Sequence, residues 1–475
     1  MNCEDGDPCT KGEKCSSGAC VGGQPFDCCF SDDECEDFEK CTYNKCNLSA
    51  HDCEFPLISD CCGNAAKEEG EDCDDGNDDE FDGCNSECKL SEFTVTTEAG
   101  FEDYSMNPSL ADDSQGNYFM LFEALKGGGK EGIWCRKFDG EAGEFGKPFQ
   151  VSEFLSGDHN NPHITPFGSD LIAGWLYGKY KKFRLLNADG VKGGELTVVD
   201  LVEEGKPAKE SAFFNRVISI DELEGKNLAL AAWMQDDSSQ SETIPEWNVH
   251  YALLKVGNDG KLALAANPKS LAGSWKKMMP AVAASDDSFA IIYIALDPSD
   301  PYKYENRIAA IDKDGILIKE SAINQINFAY GHFAAADGLF DPVKKNFIVA
   351  APAITKNGEE IDTMLDVYAF DKTATIQSGG YGSFSDSGVY IFFALERLEN
   401  DFLIAYYQFI SDVSITAKYR RMDAAMNILS AAEQLSSTQD FANIGVSAAP
   451  LGDGFFAVWT VTDFNTFNIH GRVIK

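Results

Sequence analysis

The stretch Asn107-Pro108-Ser109-Leu110-Ala111, followed by Tyr118-Phe119-Met120-Leu121-Phe122, decides the fold because it recurs along the chain. Each copy joins a polar or proline-containing anchor to a turn and a short apolar run, which is typical of a strand buried on both faces. A repeat of about 50 residues indicates a propeller or solenoid. The later anchors, spaced 53 to 64 residues apart, are Asn161-Pro162-His163-Ile164-Thr165, Asn215-Arg216-Val217-Ile218-Ser219, Met279-Pro280-Ala281-Val282-Ala283, His332-Phe333-Ala334-Ala335-Ala336, Gly388-Val389 and Asn443-Ile444-Gly445-Val446-Ser447.

Two further strands follow each apolar run, the third more alternating and the fourth more polar. Four strands per unit with a polar outermost strand describe a propeller blade, whose edges are short and whose faces are covered by neighbours. We therefore predict an all-β fold, with a seven-bladed β-propeller over residues 92–475 preceded by small disulfide-rich modules. The seventh unit ends with three strands, so residues 93–99 are predicted to supply its fourth and close the ring.

The best copy of the repeat is Gly452-Asp453-Gly454-Phe455-Phe456-Ala457-Val458-Trp459. It resembles a bacterial family of secreted propellers whose repeats read Pro-x-Val-Ala and then Asp-Gly-x-Phe-Val-Val-x-Trp. The resemblance implies a fold and an exported protein. It implies no particular activity, because one fold hosts many functions.

Fifteen of the sixteen cysteines lie between Cys3 and Cys88, a density that requires disulfide stapling and an oxidising compartment. Structural zinc is disfavoured, since no Cys-x-x-Cys pair occurs. Cys135 lies in a strand pattern and is predicted to be a buried free thiol. The cysteines predicted to form disulfides, four in each of three modules, are Cys3, Cys9, Cys15, Cys20, Cys29, Cys35, Cys41, Cys46, Cys62, Cys73, Cys84 and Cys88.

The spacing Cys-x5-Cys-x5-Cys-x4-Cys occurs twice, which defines modules at residues 1–26 and 27–60, with a third at 61–91. The connectivity within each module cannot be read from the spacing. Four cysteines per module leave Cys28, Cys53 and Cys61, an odd number. We expect either that the sequence is truncated at its N-terminus or that one thiol is intermolecular.

The third module contains Gly70-Glu71-Asp72-Cys73-Asp74-Asp75-Gly76-Asn77 and then Asp82-Gly83-Cys84-Asn85-Ser86-Glu87-Cys88. This closely resembles the Myxococcus cysteine-rich repeat, which is similar to the calcium-binding Lin-12/Notch repeats; Phe81 departs from the usual glycine. Calcium takes six to eight oxygen ligands, which clustered acids can provide. We predict a structural calcium site with Asp74, Asp75, Asn77 and Asp82 as ligands. Alternatively, these acids are solvated turn residues.

The formal net charge is −39, which makes nucleic acid and anionic membrane surfaces poor partners. No apolar run is long enough for a transmembrane helix. No charged-then-apolar leader precedes Cys3, so a signal peptide is absent from this sequence. An extracellular or cell-surface location is expected.

Recognised catalytic motifs are missing from the sequence. A sialidase would need an arginine cluster and repeated Ser-x-Asp-x-Gly-x-x-Trp boxes, whereas residues 112–116 have the wrong spacing. His159 and His163 lie close together before the second unit and could bind a ligand or metal, although such residues more often hydrogen-bond a loop. The aromatic side chains Trp247, Tyr302 and Tyr304 could stack on a sugar or a protein partner. They could equally cover the rim of their own blade.

These observations favour a non-enzymatic protein, either a monomer or part of a larger surface assembly. Its propeller would be a platform for a glycan or protein ligand, and its cystine modules a calcium-stabilised spacer. The alternative is a glycan-active hydrolase or lyase that uses carboxylates at the channel mouth, where two carboxyl groups about 5 to 9 Å apart would favour hydrolysis.

Overall fold

The computed structural model contains two compact units, Met1–Phe93 and Thr94–Lys475. It contains strands throughout and almost no helix, so the all-β prediction is confirmed. The residues it describes are 9–11, 13–21, 24–25, 28–37, 41–58, 61–64, 82–84, 87–88, 90–96, 101–113, 115–126, 130–139, 144–153, 159–178, 180–187, 190–199, 218–237, 246–300, 303–327, 336–357, 360–385, 389–398, 401–411, 414–435, 445–452, 454–462 and 466–474.

The first unit consists of short strands connected by turns, with one 3₁₀ turn at Asp32–Glu34. Such small elements cannot bury a hydrophobic core, so covalent bonds must hold them. The strands pair as β1 with β4, β2 with β3, β5 with β6 and β7 with β8. They are β1 (Thr10–Lys11), β2 (Lys14–Ser16), β3 (Ala19–Val21), β4 (Gln24–Pro25), β5 (Lys45–Asn47), β6 (Asp52–Glu54), β7 (Asp82–Cys84) and β8 (Leu90–Thr94).

Disulfides staple this unit, as its cysteine content predicts. Cys20 and Cys84 are also disulfide-bonded, whereas Cys3 and Cys73 lie outside the described residues. Cys15 was expected in a disulfide but is an exposed free thiol, while Cys28, Cys53 and Cys61, left over in the sequence count, are all bonded. The count differs because the second module uses six cysteines rather than four. The described bonds are Cys9–Cys28, Cys29–Cys46, Cys35–Cys53, Cys41–Cys61 and Cys62–Cys88.

The second unit contains five separate antiparallel sheets, each a propeller blade with strands in chain order from the inside outward. These blades are β14 (His159–Phe167), β15 (Asp170–Tyr177), β16 (Tyr180–Asn187) and β17 (Gly190–Val199); β18 (Ile218–Leu223), β19 (Leu228–Asp236), β20 (Trp247–Val256), β21 (Leu262–Leu264) and β22 (Lys269–Ser270); β23 (Lys276–Ala284), β24 (Ser288–Leu296), β25 (Lys303–Asp312) and β26 (Leu317–Asn327); β27 (Asp337–Asp341), β28 (Asn346–Asn357), β29 (Glu360–Phe370) and β30 (Ile376–Ser385); and β31 (Val389–Leu398), β32 (Asp401–Ser411), β33 (Ser414–Asp423) and β34 (Glu433–Gln434).

The remaining strands of this unit form one larger sheet, which brings the two ends of the repeat together. They are β9 (Glu102–Asp112), β10 (Asn117–Lys126), β11 (Lys130–Asp139), β12 (Glu144–Phe145), β13 (Phe149–Gln150), β35 (Val446–Leu451), β36 (Gly454–Thr462) and β37 (Phe467–Ile474). The sequence predicted seven separate blades, but the sheets show five. The difference arises because a parallel bridge between Phe467 and Tyr104 joins β37 to β9.

The predicted closing strand, residues 93–99, is observed only in part. The strand β8 ends at Thr94, and residues 97–100 lie outside the described residues. Beyond β8, the Val95 N–H donates to the Ile469 carbonyl at 2.7 Å and the Ile469 N–H donates to Thr96 Oγ1 at 3.1 Å. The chain before the first repeat therefore contacts the last strand of the last repeat.

The anchors begin with a β-bulge, a local register shift that bends the first strand of a unit. The residue before the anchor proline has positive φ at Asn107 (55°), Asn161 (53°) and Met279 (53°). The ladder slips at all three positions, between Met106 and Ser109, between Asn160 and His163 and between Met278 and Ala281. Asparagine adopts positive φ more readily than most residues, which explains its recurrence before proline.

The buried core consists mainly of the second strands, whose apolar runs are covered on both faces. Trp175, Trp233 and Trp459 occupy equivalent places on β15, β19 and β36 and are fully buried. Cys135 on β11 is a buried free thiol, as predicted, and burial raises its pKa well above the usual value. In the part of the chain that the structure describes, no helix has the length and apolar character needed to cross a membrane.

Candidate binding cavity

A cavity of about 360 Å³ is enclosed by the first strands of the propeller units. Residues of all five blades line it, together with residues of β9 and β35 from the larger sheet. A cavity of this size lies at the lower end of the range for small-molecule sites. It is therefore large enough to hold a small ligand.

Along the cavity the first strands of the units have open edges, since β9 pairs with β37 only at Tyr104, outside the cavity lining. Unpaired backbone N–H groups are costly when buried, so they need other acceptors. Side chains of the neighbouring unit provide them, and equivalent positions of different repeats make equivalent bonds. The described bonds run from Leu110 N to Ser447 Oγ, Ile164 N to Ser109 Oγ and Val282 N to Ser219 Oγ, each 3.0 Å, and from Leu395 N to Asp337 Oδ2, 3.1 Å.

The charged groups lining the cavity are almost all acidic. Four carboxyl groups line it, and neither lysine nor arginine is among its described lining residues. His163 is the one imidazole in that lining. The cavity therefore favours neutral or cationic groups over anions, because a low-dielectric wall strengthens each charge. The four carboxyl residues are Asp112, Asp221, Asp337 and Glu396.

The Asp221 carboxyl lies between neighbouring blades and has a raised pKa. Its Oδ2 accepts from the Ala284 N–H at 2.7 Å and its Oδ1 from the Glu222 N–H at 2.8 Å, and Thr165 Oγ1 lies 3.5 Å from Oδ1. Burial raises the pKa of Asp221 to about 6, because its effect is larger than that of these hydrogen bonds, which lower the pKa. The carboxyl therefore links three blades and is half protonated at about pH 6 rather than near pH 4.

A second buried carboxyl, Glu123 on β10, lies between the larger sheet and the β14–β17 blade. It is 2% exposed and accepts hydrogen bonds from the Asn161 N–H (3.0 Å) and the Asn107 side chain. Burial raises its pKa to about 8, with a smaller contribution from Glu131. Glu123 thus fixes two bulged anchors and does not line the cavity.

The arginines of the propeller bind other parts of the fold. Arg184 donates to the Val151 and Gly193 carbonyls, and Arg472 to the Gln434 carbonyl. Arg421 bonds the Asp401 carboxylate at 2.7 Å. No arginine in the described ranges lines the cavity, so the arginine cluster that a sialidase would need is missing there.

The two predicted histidines have different environments. His163 lines the cavity. His159 is 2% exposed; its Nδ1 accepts from Trp175 Nε1 at 3.1 Å, and its ring lies 4.5 Å from the Tyr177 ring. The His159 ring is packed inside the β14–β17 blade, and the ligand role of this residue stays a prediction.

The aromatic side chains predicted to contact a ligand also pack against other side chains of the propeller. Tyr304 is 8% exposed and Trp247 is partly buried, and both belong to a cluster with Met234, Met278 and Ile294. They cover the rims of two blades, which is the alternative that the sequence left open. Tyr302 lies outside the described residues.

Most of the predicted calcium ligands lie outside the residues that the structure describes, so their arrangement is not seen. Asp74, Asp75 and Asn77 lie outside the described residues, and Asp82 is placed only as backbone of β7, paired with Phe93. Among described residues, one cluster has metal-ligand spacing, Cys29, Cys35 and Cys46. These sulfurs belong to disulfides, so they offer no thiolate to a metal.

None of the four acidic residues of the cavity was identified from the sequence, although carboxylates at the channel mouth were considered there. Asp112 and Asp221 follow their anchors closely, which is the only signal that could have identified them. Asp337 directly follows the anchor at residues 332–336 and has the same signal, whereas Glu396 lies in the unit whose anchor is reduced to Gly388-Val389. Their common location depends on the ring bringing distant strands together.

Comparison with known proteins finds similarity of fold and no similarity of sequence to a known family. No family model matches the chain, and no curated protein sequence matches it. Among solved structures, a Trypanosoma rangeli sialidase in complex with the inhibitor DANA is 9% identical, with 69% of this chain and 56% of that chain covered and a TM-score of 0.42. The NanB sialidase from Streptococcus pneumoniae is 12% identical, with 82% and 72% covered and a TM-score of 0.42.

A Dyadobacter fermentans protein of unknown function is 11% identical, with 81% of this chain and 98% of that chain covered and a TM-score of 0.43. The chain spans little more than half of the Trypanosoma sialidase. Similarity at this level concerns the fold alone. The fold and the disulfides define the class of this protein: it is a disulfide-rich β-propeller protein, and its disulfides are suited to an oxidising, extracellular environment.

Proposed function

We propose that this protein is an extracellular recognition protein whose central cavity binds a neutral or amine-bearing sugar residue. The observation that supports this most directly is the acidic lining of the cavity without lysine or arginine. Carboxylates accept hydrogen bonds from sugar hydroxyls and attract ammonium groups, whereas they repel the carboxylate of an acidic sugar. A volume of about 360 Å³ suits a sugar residue better than a folded partner.

Binding should depend on the carboxyl groups that line the cavity. We expect the double variant Asp112→Asn, Glu396→Gln to weaken binding of a neutral or amino-sugar glycan about tenfold or more, the loss for at least one charge-assisted hydrogen bond. A glycan array followed by titration calorimetry measures this. The exposed Glu246→Gln variant is the matched control. Equal or tighter binding of sialylated glycans by the natural protein would refute the proposal.

The second candidate function is a glycan hydrolase or lyase. It is favoured by Asp221, whose pKa burial raises to about 6, in one cavity with three other carboxyl residues. Incubation with the glycans that bind, followed by detection of reducing ends or unsaturated products, separates the two candidates. Turnover that is lost in Asp221→Asn would replace the binding proposal with catalysis.

We further propose that the third module is a Myxococcus-type cysteine-rich repeat with a structural calcium ion held by Asp74, Asp75, Asn77 and Asp82. Calcium should raise the melting temperature of this unit by several degrees, because a ligand that binds only the folded state stabilises it. The double variant Asp74→Ala, Asp75→Ala should lose that shift, whereas Asp259→Ala in an exposed propeller turn should keep it. A shift of equal size in both variants would contradict the site.

The larger sheet is proposed to serve as two blades, which gives seven in total, with the residues before β9 closing the ring. The lining of the cavity by seven first strands supports this count. An experimental structure in which β9–β13 and β35–β37 pack as one blade would refute it. The cystine modules are proposed to end at Cys28 and Cys61, two and one residues later than expected, because disulfides include those cysteines. They would form a spacer in a secreted or surface-attached protein, a monomer or part of an assembly.

A further inference from the structure

The first strands around the cavity share one hydrogen-bonding pattern. In the four bonds described above, a backbone N–H of one first strand donates to a side chain of the preceding first strand. On every first strand the accepting residue directly precedes the donating residue, as Ser109 precedes Leu110. Five of the seven accepting positions have a polar side chain. The other two are Ala281 and Ala394, whose methyl groups cannot accept a hydrogen bond.

The exception at Ala394 lies on the cavity wall, where β31 contacts β35. Ala394 and Ala448 both line the cavity and pack in one buried cluster. Ala448 has the same place in its ladder as Val282, whose N–H donates to Ser219 Oγ at 3.0 Å, so the two N–H groups point in the same direction. Because Ala394 offers no acceptor, the Ala448 N–H is a donor that a ligand in the cavity can use.

A carboxylate lies two residues further along the same edge. Glu396 has the place on β31 that Asp221 has on β18, and Asp221 Oδ2 accepts from the Ala284 N–H of the next first strand at 2.7 Å. On β35 the residue that corresponds to Ala284 is Pro450, which has no N–H to donate. Glu396 lines the cavity, and a carboxylate can accept about four hydrogen bonds. It can therefore accept one from a ligand.

The second alanine position lacks this combination. Ala281 is not among the described lining residues of the cavity, and the residue two positions after it is Ala283 rather than an acid. Among the first strands that the structure describes, the β31–β35 edge is thus the place where an available backbone donor lies beside a carboxylate acceptor. Such a pair is complementary to a group that carries one acceptor and one donor on different atoms.

We propose that the β31–β35 edge binds the acetamido group of an N-acetylated amino sugar, an inference that rests on the sugar-binding function proposed above. The acetamido carbonyl accepts from the Ala448 N–H, and the acetamido N–H donates to the Glu396 carboxylate. The acetyl methyl group contacts the apolar wall at Val446, which lines the cavity. A sugar hydroxyl in the same place has a single oxygen for both contacts, so it fits this edge less well.

Titration calorimetry of the full chain with chitobiose and cellobiose tests the proposal. These neutral disaccharides have the same linkage and differ in carrying an acetamido group or a hydroxyl. We expect chitobiose to bind about tenfold more tightly, the value of one additional hydrogen bond to a charged group. The Ala394→Ser variant adds the acceptor that Ser219 provides in its own unit. Its hydroxyl should occupy the Ala448 N–H and remove most of the preference, with cellobiose binding unchanged.

The Ala281→Ser variant adds a hydroxyl at the other alanine position and is the matched control, which should keep the full preference. Circular dichroism and the melting temperature confirm that both variants are folded. Equal affinity of the natural protein for the two disaccharides would overturn the acetamido site and leave the proposed sugar binding standing. An unchanged preference in Ala394→Ser would also overturn it, as would an N-acetylated dipeptide amide that binds as tightly as chitobiose. Binding of neither disaccharide would overturn both proposals.

Discussion

The Glu123→Gln variant is expected to gain roughly 3 to 5 kcal/mol of stability over the natural protein at pH 8 and almost nothing at pH 4.5. Glu123 is buried between the larger sheet and the neighbouring blade, and burial raises its pKa from 4.5 to about 8. In the unfolded chain the same carboxyl loses its proton near pH 4.5. Glutamine keeps the shape and the acceptor for the Asn161 N–H without the titrating proton.

The direction in which stability changes with pH follows from proton binding to Glu123. Between pH 4.5 and 8 the folded protein holds a proton on Glu123 that the unfolded chain has released. Raising the pH across this window therefore stabilises the unfolded state and lowers the free energy of unfolding. Asp221 and Glu222, whose pKa values burial raises to about 6 and about 7, act in the same direction.

Denaturant unfolding of both proteins at several pH values between 4.5 and 8.5 measures the difference. Glu246→Gln, which removes an exposed carboxyl, is the control and should follow the natural protein. Calcium should be held constant, because the first unit is proposed to bind it. If the natural protein and Glu123→Gln lose stability in parallel, Glu123 is ionised in the folded state and its proposed protonation is wrong.

The Trp233→Ala variant is expected to lose about 3 to 5 kcal/mol of stability, the usual cost of removing a large buried aromatic side chain. Trp233 is fully buried in the cluster between the β14–β17 and β18–β22 blades. Its ring lies 6.4 Å from the His250 ring, and Lys181 Nζ lies 5.9 Å from its centroid. The variant would leave a cavity and remove the aromatic face beside a buried lysine.

Trp275→Ala is the matched control, because Trp275 is only partly buried and contacts Lys303 and Arg307 through its ring face. We expect it to cost about 1 kcal/mol. Guanidinium unfolding monitored by far-ultraviolet circular dichroism compares the two, with the midpoint as the readout. Losses of similar size would show that the interface between these blades does not depend on the Trp233 ring.

Much of the fold was predictable because its signals are local. The apolar run Leu228–Trp233 and its equivalents identify buried strands wherever they occur, and the spacing between them identifies units of four strands. The concentration of cysteines before residue 88 identifies a stapled unit. These features depend on residues close together in the sequence, so they can be recognised from the sequence directly.

The candidate site was predicted less well. The sequence pointed to His159, Trp247 and Tyr304 because such side chains often bind ligands when exposed. Each is packed into the fold, since a polar or aromatic side chain near the end of a strand can turn toward a neighbouring blade as easily as toward solvent. Only His163, among the described candidates, lines the cavity.

The sequence by itself determined the classes of local structure: buried strands in a repeated unit and cystine modules. Tertiary structure decided which distant groups meet. It paired Cys9 with Cys28 and left Cys15 free, joined β37 to β9, and brought Asp112, Asp221, Asp337 and Glu396 to one cavity. The physical reason is that local preferences act within a few residues, whereas these contacts require closure of a ring and of disulfide loops whose alternatives have similar local energies.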